Sequence, residues 1–358
     1  MLKPNKNVQR FIISSPVAFV GEYTSDNIDI SIMFDRHGII RNNQHKNYYM
    51  VSINTSNNAF QNSWAIKLSD YDYYSDTICM CLSVLYGKMF YNHGFIEENG
   101  IFMKPDFSNL SLNDYEADIY SDNVRKDLEI PLDFTEFKRI VKVLESEGKS
   151  KLYGAFFNAA RFYWRALSNM QKEPELAFLD LVSCGEALSG GYDYTDDELT
   201  KNDVEWHKIE NLINDGRFEL KAREKLYGFI KKRMFRVKRK YILTIVNSLN
   251  SYFFTHTECI GQGKIGCIQR DTIENNVKKT YDLRSKYIHE GLRINDYIKS
   301  LRNWKNEVEI LQSLNNEEKI SQNIFTLHGL ERVMRYCLLV YIHNKLDVKI
   351  DNKLDVTF

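Results

Sequence analysis

Tyr281-Asp282-Leu283-Arg284-Ser285-Lys286-Tyr287-Ile288-His289-Glu290-Gly291 is the stretch on which the reading of the whole chain turns. It has the pattern of the last three turns of a helix. Asp271, with Glu274 three positions on, makes a capping-type start, and Gly291 is a C-terminal stop. At about 100° per residue, Val277, Tyr281 and Ile288 share one stripe, which Leu283 and Tyr287 extend. Arg284 falls inside that apolar arc, where a guanidinium is costly unless its charge is matched. His289 lies at the edge of the arc in the last turn, where free carbonyls and the negative helix end suit a cation. An inward arginine and a helix-end histidine five residues apart point to an anion-handling site.

Arg284-x4-His289, followed by Glu290-Gly291, resembles the R-x4-6-H signature of the HEPN superfamily, and the longer string around it is similar to the ApeA-like branch. The resemblance implies a helical bundle of HEPN type and a metal-independent endoribonuclease with no cofactor. It also implies a cytoplasmic homodimer joined through its motif helices, acting in bacterial anti-phage defence or toxin-like growth arrest and answering a phage-derived or host trigger. The partner is RNA, tRNA being one candidate. In that reading His289 transfers protons and Arg284 clamps the phosphate. The products carry 2′,3′-cyclic phosphate and 5′-hydroxyl ends. The residue after the arginine is Ser285, where active members often carry Asn, Asp or His.

The residue types suit this chemistry. Cleavage of RNA without metal needs a group that moves protons near neutral pH and a cation beside the charge building on the phosphoryl oxygens. Histidine and arginine supply these. The two side-chain directions diverge by about 140° on an ideal helix, so a second motif helix is expected to complete the site. The same two residues also fit a helix-capping histidine and a structural ion pair. A HEPN module that binds RNA, nucleotide or a protein partner without catalysis, and a scaffold that only dimerises, are the competing functions.

Glu186 is the natural partner for Arg284. It lies on the apolar stripe Leu179, Val182 and Leu188, and each charge would be expensive alone. It either aims the arginine or makes a buried pair with no chemical role. Ser285 and Tyr287 flank the motif and are candidates for substrate contact, with core packing a further role for Tyr287. Lys221 to Lys240 holds ten Lys or Arg against the single acid Glu224, with Leu226, Phe229, Ile230, Met234 and Val237 at helical spacing. Lys231, Lys232, Arg233 and Arg236 are its candidate phosphate contacts. A solvated surface face, or a lock onto the acidic segment Tyr192 to Glu210, also fits this run.

The remaining chain sets the fold class. Phe11–Ile13, Asn27–Phe34, Tyr48–Ile53 and Ser63–Leu68 are rich in strand formers and separated by Asn, Ser and Asp. Phe95 to Met103 has the pattern of a hairpin around Asn99-Gly100. Thr77 to Phe90 is apolar throughout and fits a helix or a buried strand. From Pro131 the pattern becomes helical. A first stripe contains Phe134, Phe137, Ile140, Val141 and Leu144. Further helices cover Lys151 to Met170 and run from Pro174 to Gly190. Tyr192 to Glu210 reads as a loop with little helix signal before Val204, and Ile242 to Phe254 as helix. A long last helix is expected through Ile320, Ile324, Leu327, Met334, Leu338 and Tyr341. Leu346, Val348, Ile350, Leu354, Val356 and Phe358 keep a period of two, as in a terminal strand. The expectation is an α+β chain: a β-rich domain at 1–130, an all-α HEPN-like domain at 131–346, and an extended tail at 347–358.

Composition narrows the classes. At 358 residues, 43% hydrophobic and 13% aromatic, the chain is globular and long enough for two cores. Formal net charge is zero, so attraction to nucleic acid must come from a local patch. Cys79, Cys81, Cys184, Cys259, Cys267 and Cys337 form no Cys-x-x-Cys pair and read as buried reduced thiols. His207, His256, His328 and His343 are scattered, and no pair has metal-ligand spacing together with a carboxylate. Gly261-x-Gly263-x-x-Gly266 lacks the strand before it that a dinucleotide site needs and reads as a loop. No signal-type apolar core follows Met1, and no run of eighteen apolar residues exists to span a membrane.

Overall fold

The computed structural model describes residues 8–33, 47–54, 73–98, 100–107, 118–145, 150–201, 204–216, 218–233, 236–260, 265–299, 305–309 and 324–356. Among the described residues of the N-terminal part lie six strands: β1 (Val8–Ser15), β2 (Tyr23–Thr24), β3 (Ile28–Ile32), β4 (Asn47–Asn54), β5 (Tyr91–Glu98) and β6 (Ile101–Phe102). They form one sheet in the order β2-β3-β4-β1-β5-β6, every pair antiparallel. Alternation sets the register. Ile30, Val51, Phe11 and Phe95 stand opposite one another in a row across four strands, so one apolar set shares one face. Helix α1 (Tyr73–Tyr86) packs on β1 and β5. The ambiguous stretch from Thr77 is therefore helical; its residues are buried nearly all round, which is why no period was visible. The expected strand at Ser63–Leu68 lies outside the described residues, as does Asn99 of the hairpin.

The rest of the chain is mostly helical, which makes the class α+β. The stripe from Phe134 to Leu144 is buried throughout, but it begins as a 3-10 segment (Phe134–Arg139) before α2 (Val141–Glu145). Then follow α3 (Lys151–Asn169), α4 (Pro174–Ser189), α5 (Asp196–Thr200), α6 (Val204–Asp215), α7 (Leu220–Arg233), α8 (Arg236–Ser248), α9 (Ser251–Thr255), α10 (Ile273–Glu290), α11 (Asn295–Ile298) and α12 (Leu327–Lys345). Helix α5 corrects the loop expected before Val204. Thr195 and Glu198 form a reciprocal capping box that makes a short helix out of an acidic segment. The basic run is covered by two helices, α7 and α8, with Met234 and Phe235 outside the described residues.

Two expectations for the C-terminal part are corrected. The last helix starts at Leu327, with Thr326 capping it; Ile324 precedes it, and Phe325 bridges to Val308. Ile320 lies outside the described residues. Among its described residues the tail forms no strand. Its alternation is real burial, with Leu346, Val348, Ile350 and Leu354 inside, but they dock on the bundle as a loop and a 3-10 turn (Asn352–Leu354).

Helix α12 is the axis. Every residue from Gly329 to His343 is buried, and α1, α3, α4 and α8 pack round it. Most of the buried apolar side chains of sheet and bundle join in one cluster. Four of the axial residues are Glu331, Arg332, Arg335 and His343, and each is matched. Arg335 donates to Asp127 (2.6 Å) and to the carbonyls of Val84 and Leu85 at the end of α1. Arg125 lies between Glu258 and Glu331 and donates twice to each. Arg332 donates to Glu307 (2.9 Å) and stacks on Phe253. His343 meets Asp355 at 2.8 Å. This layer ties the end of α1 and the segment around Arg125 and Asp127 to the bundle.

Candidate active site

Helix α10 packs on α4 and α8, and these contacts decide which of its side chains are held. Val277 and Leu283 are buried, Tyr281 and Tyr287 are half-buried against the core, and Ile288 departs from the expected stripe at 46% exposed. Thr272, not Asp271, occupies the cap position; its hydroxyl makes no capping hydrogen bond and donates back to the Gln269 carbonyl. At the other end Gly291 has φ +67, a left-handed stop that suits glycine. The chain just beyond is fixed by Glu175, whose carboxylate accepts from the N–H groups of Ile294 (2.8 Å) and Asn295 (3.0 Å). Lys238 to Asp282 (2.5 Å) and Arg239 to Glu274 tie the outer face of α10 to α8.

Glu186 of α4 and Arg284 of α10 come together. The guanidinium Nη2 is 3.5 Å from Glu186 Oε2, with the two side chains 23% and 20% exposed. Tyr281, one turn before Arg284, donates to Glu186 Oε1 at 2.7 Å, and Arg284 Cζ is 5.9 Å from its ring centroid. Burial first, and then the bond to Glu186, pushes the Tyr281 hydroxyl up to about 12. The phenol is therefore a fixed donor. Tyr241 of α8 packs against Tyr281 at 5.1 Å between rings. It reaches α4 because residue 185 is glycine: a Cβ there would stand 2.4 Å from the Tyr241 ring. The arginine is thus charge-matched but far from saturated. Its ion pair is longer than a hydrogen-bonded fork, and its Nε is buried with no hydrogen-bond partner.

His289 lies in the last turn of α10, exposed, with no hydrogen bond or ion pair among the described residues. Ser285 and Tyr287 are half-buried beside the motif. Lys231, Lys232 and Arg233 fall at the end of α7 and Arg236 at the start of α8; their side chains lie outside the described residues. Of the basic run, Arg223 donates to the carbonyls of Asn214, in the last turn of α6, and of Gly216 just after it, and Lys221 and Lys225 are exposed. Tyr281 is the one member of the cluster that spacing did not single out as functional. Its position three before Arg284 on the same face was the signal that could have found it.

Five of the six cysteines are buried, Cys259 being half-exposed, and all are free thiols. Among the described residues no helix is long and apolar enough to cross a membrane. Gly261 to Lys264 lie outside the described residues, and Gly266 turns with φ +78. No family model, curated protein or solved structure matches the chain.

Proposed function

We propose that this chain is a metal-independent endoribonuclease of HEPN type. The observation that carries the reading is the state of Arg284. It is held by Glu186 against the Tyr281 ring, yet keeps hydrogen-bond donors unused a turn and a half before an exposed histidine. A phosphodiester is the ligand class that uses both. The guanidinium would hold the phosphoryl oxygens as charge builds on them. His289 would take the proton from the 2′-hydroxyl or give one to the departing 5′-oxygen. Attack of the 2′-oxygen on phosphorus then breaks the P–O5′ bond and leaves a 2′,3′-cyclic phosphate and a 5′-hydroxyl.

One imidazole cannot perform both transfers in one step, so the His289 of a second copy would perform the other. The exposure of Ile288 beside it favours a homodimer whose motif helices face each other. Action on RNA such as tRNA, in the cytoplasm, in anti-phage defence or growth arrest, rests on the resemblance of the motif alone.

The test is incubation of purified protein with total RNA in EDTA, alongside His289→Ala and Arg284→Ala with their folds checked by circular dichroism. Losses of about 10²–10⁴-fold for the histidine and about 10²–10³-fold for the arginine are expected. RNA binding without cleavage would replace the enzyme with a binding module. Dimerisation with neither would leave a scaffold.

A further inference from the structure

Away from the motif helix, three side chains distant in sequence converge where residues 118–127 meet the bundle. Asp118 opens a 3-10 turn (Asp118–Tyr120), Glu258 follows α9, and His328 is in the first turn of α12. One oxygen from each carboxylate and one imidazole nitrogen all lie within 4.8 Å of one another. His328 Nε2 is 3.5 Å from Asp118 Oδ2 and 3.7 Å from Glu258 Oε2. Asp118 Oδ2 and His328 Nε2 are both buried and both without a hydrogen-bond partner.

Those separations decide between two accounts. An imidazole N–H bonded to a carboxylate should approach to about 2.7–3.2 Å, and neither contact does. Ligands about 2.0–2.2 Å from a tetrahedral zinc stand about 3.3–3.6 Å apart, close to the 3.5 and 3.7 Å separations from His328, with the two carboxylate oxygens within 4.8 Å of each other. The outer contacts are those a metal site uses. Lys305 donates to Asp118 Oδ1 at 2.5 Å, leaving Oδ2 free to ligate. Arg125 donates to both oxygens of Glu258, and the second lone pair of Oε2 remains. Arg125 is itself matched by Glu331, so Asp118, Glu258 and Glu331 set against Arg125 and Lys305 leave one net negative charge for a dication. One nitrogen and two oxygens favour zinc over magnesium or calcium, which take all-oxygen shells.

We propose that Asp118, Glu258 and His328 bind one zinc ion, which clips the 118–120 turn to the helical bundle. The site shares no residue with the Arg284 cluster, so it stands or falls independently of the ribonuclease reading. Three protein ligands leave the fourth position to water.

The experiment uses the full chain, freed of metal with EDTA, dialysed, and titrated with zinc chloride under calorimetry, with bound metal counted by mass spectrometry. One equivalent per chain and a higher melting temperature are expected. His328→Ala should weaken binding at least about a hundredfold and remove the thermal shift. X-ray absorption of the zinc-loaded wild type, which depends on no variant folding, should show one imidazole among oxygen donors. Absence of stoichiometric zinc, undiminished binding by a folded His328→Ala, or a sulfur shell would each overturn the proposal.

Discussion

At residue 284 a charge is held half-buried, and it is there that we place the proposed chemistry. Glu186 matches the guanidinium without using up its donors, and Tyr281 fixes the carboxylate from the other side. Glu186→Gln keeps an acceptor for Tyr281 but removes the charge that aims Arg284. Cleavage is expected to fall about tenfold or more while stability changes by less than about 1 kcal/mol, because the pair is partly solvated. Parallel rate and denaturant measurements check both halves. Residue 335 behaves differently. Its guanidinium is fully buried and holds Asp127 and two carbonyls of α1. Arg335→Met strands a buried carboxylate and should cost about 3–5 kcal/mol in urea unfolding. Under the proposed function the first substitution should act on activity and the second on folding, although both remove one partner of an ion pair.

At the scale of elements, the crossing of α4 with α8 sets where the motif helix can sit. Gly185 lets the Tyr241 ring lie against α4, and Tyr241 in turn supports Tyr281. Gly185→Ala forces the fully buried ring to move. A loss of about 1–3 kcal/mol is expected, with reduced cleavage because Tyr281 shifts with it; thermal melts and rates measured on one preparation test this. The helices themselves were legible where one face is apolar. Pro174 opens α4 and Gly291 closes α10 as their chemistry demands. Sequence and structure part where periodicity carries no information. The tail alternates because its side chains dock one by one on the bundle, not because it pairs. The acidic segment after Tyr194 folds through a capping box whose signal, Thr195-x-x-Glu198, was present but outweighed by its polarity. Of the candidate site, the Glu186–Arg284 pair was legible because two inward charges need each other. Asp118, Glu258 and His328 were not, since each stands alone in sequence and only the fold joins them.

Over the whole molecule, one apolar cluster runs from the sheet to the C-terminal turn, and a layer of buried ion pairs crosses it. Tyrosines are a large part of that interior. Burial raises Tyr163 and Tyr241 well above the usual phenol range, and raises Tyr86, Tyr192 and Tyr341 as well. With folded values above unfolded ones, the native state holds more protons once pH exceeds about 10, so stability falls as pH rises from there. Titration followed by phenolate absorbance should show these tyrosines ionising together, at the pH where circular dichroism reports unfolding. Gradual ionisation with the fold intact would mean the interior is wetter than described.

The reading of Arg284 and His289 as one phosphodiester-cleaving pair is tested most directly by the ends it leaves. RNA treated in EDTA should carry 2′,3′-cyclic phosphate and 5′-hydroxyl termini with the wild-type chain, and no new termini with a folded His289→Ala. Cleavage by that variant at the wild-type rate, or wild-type fragments ending in 3′-hydroxyl groups, would contradict it.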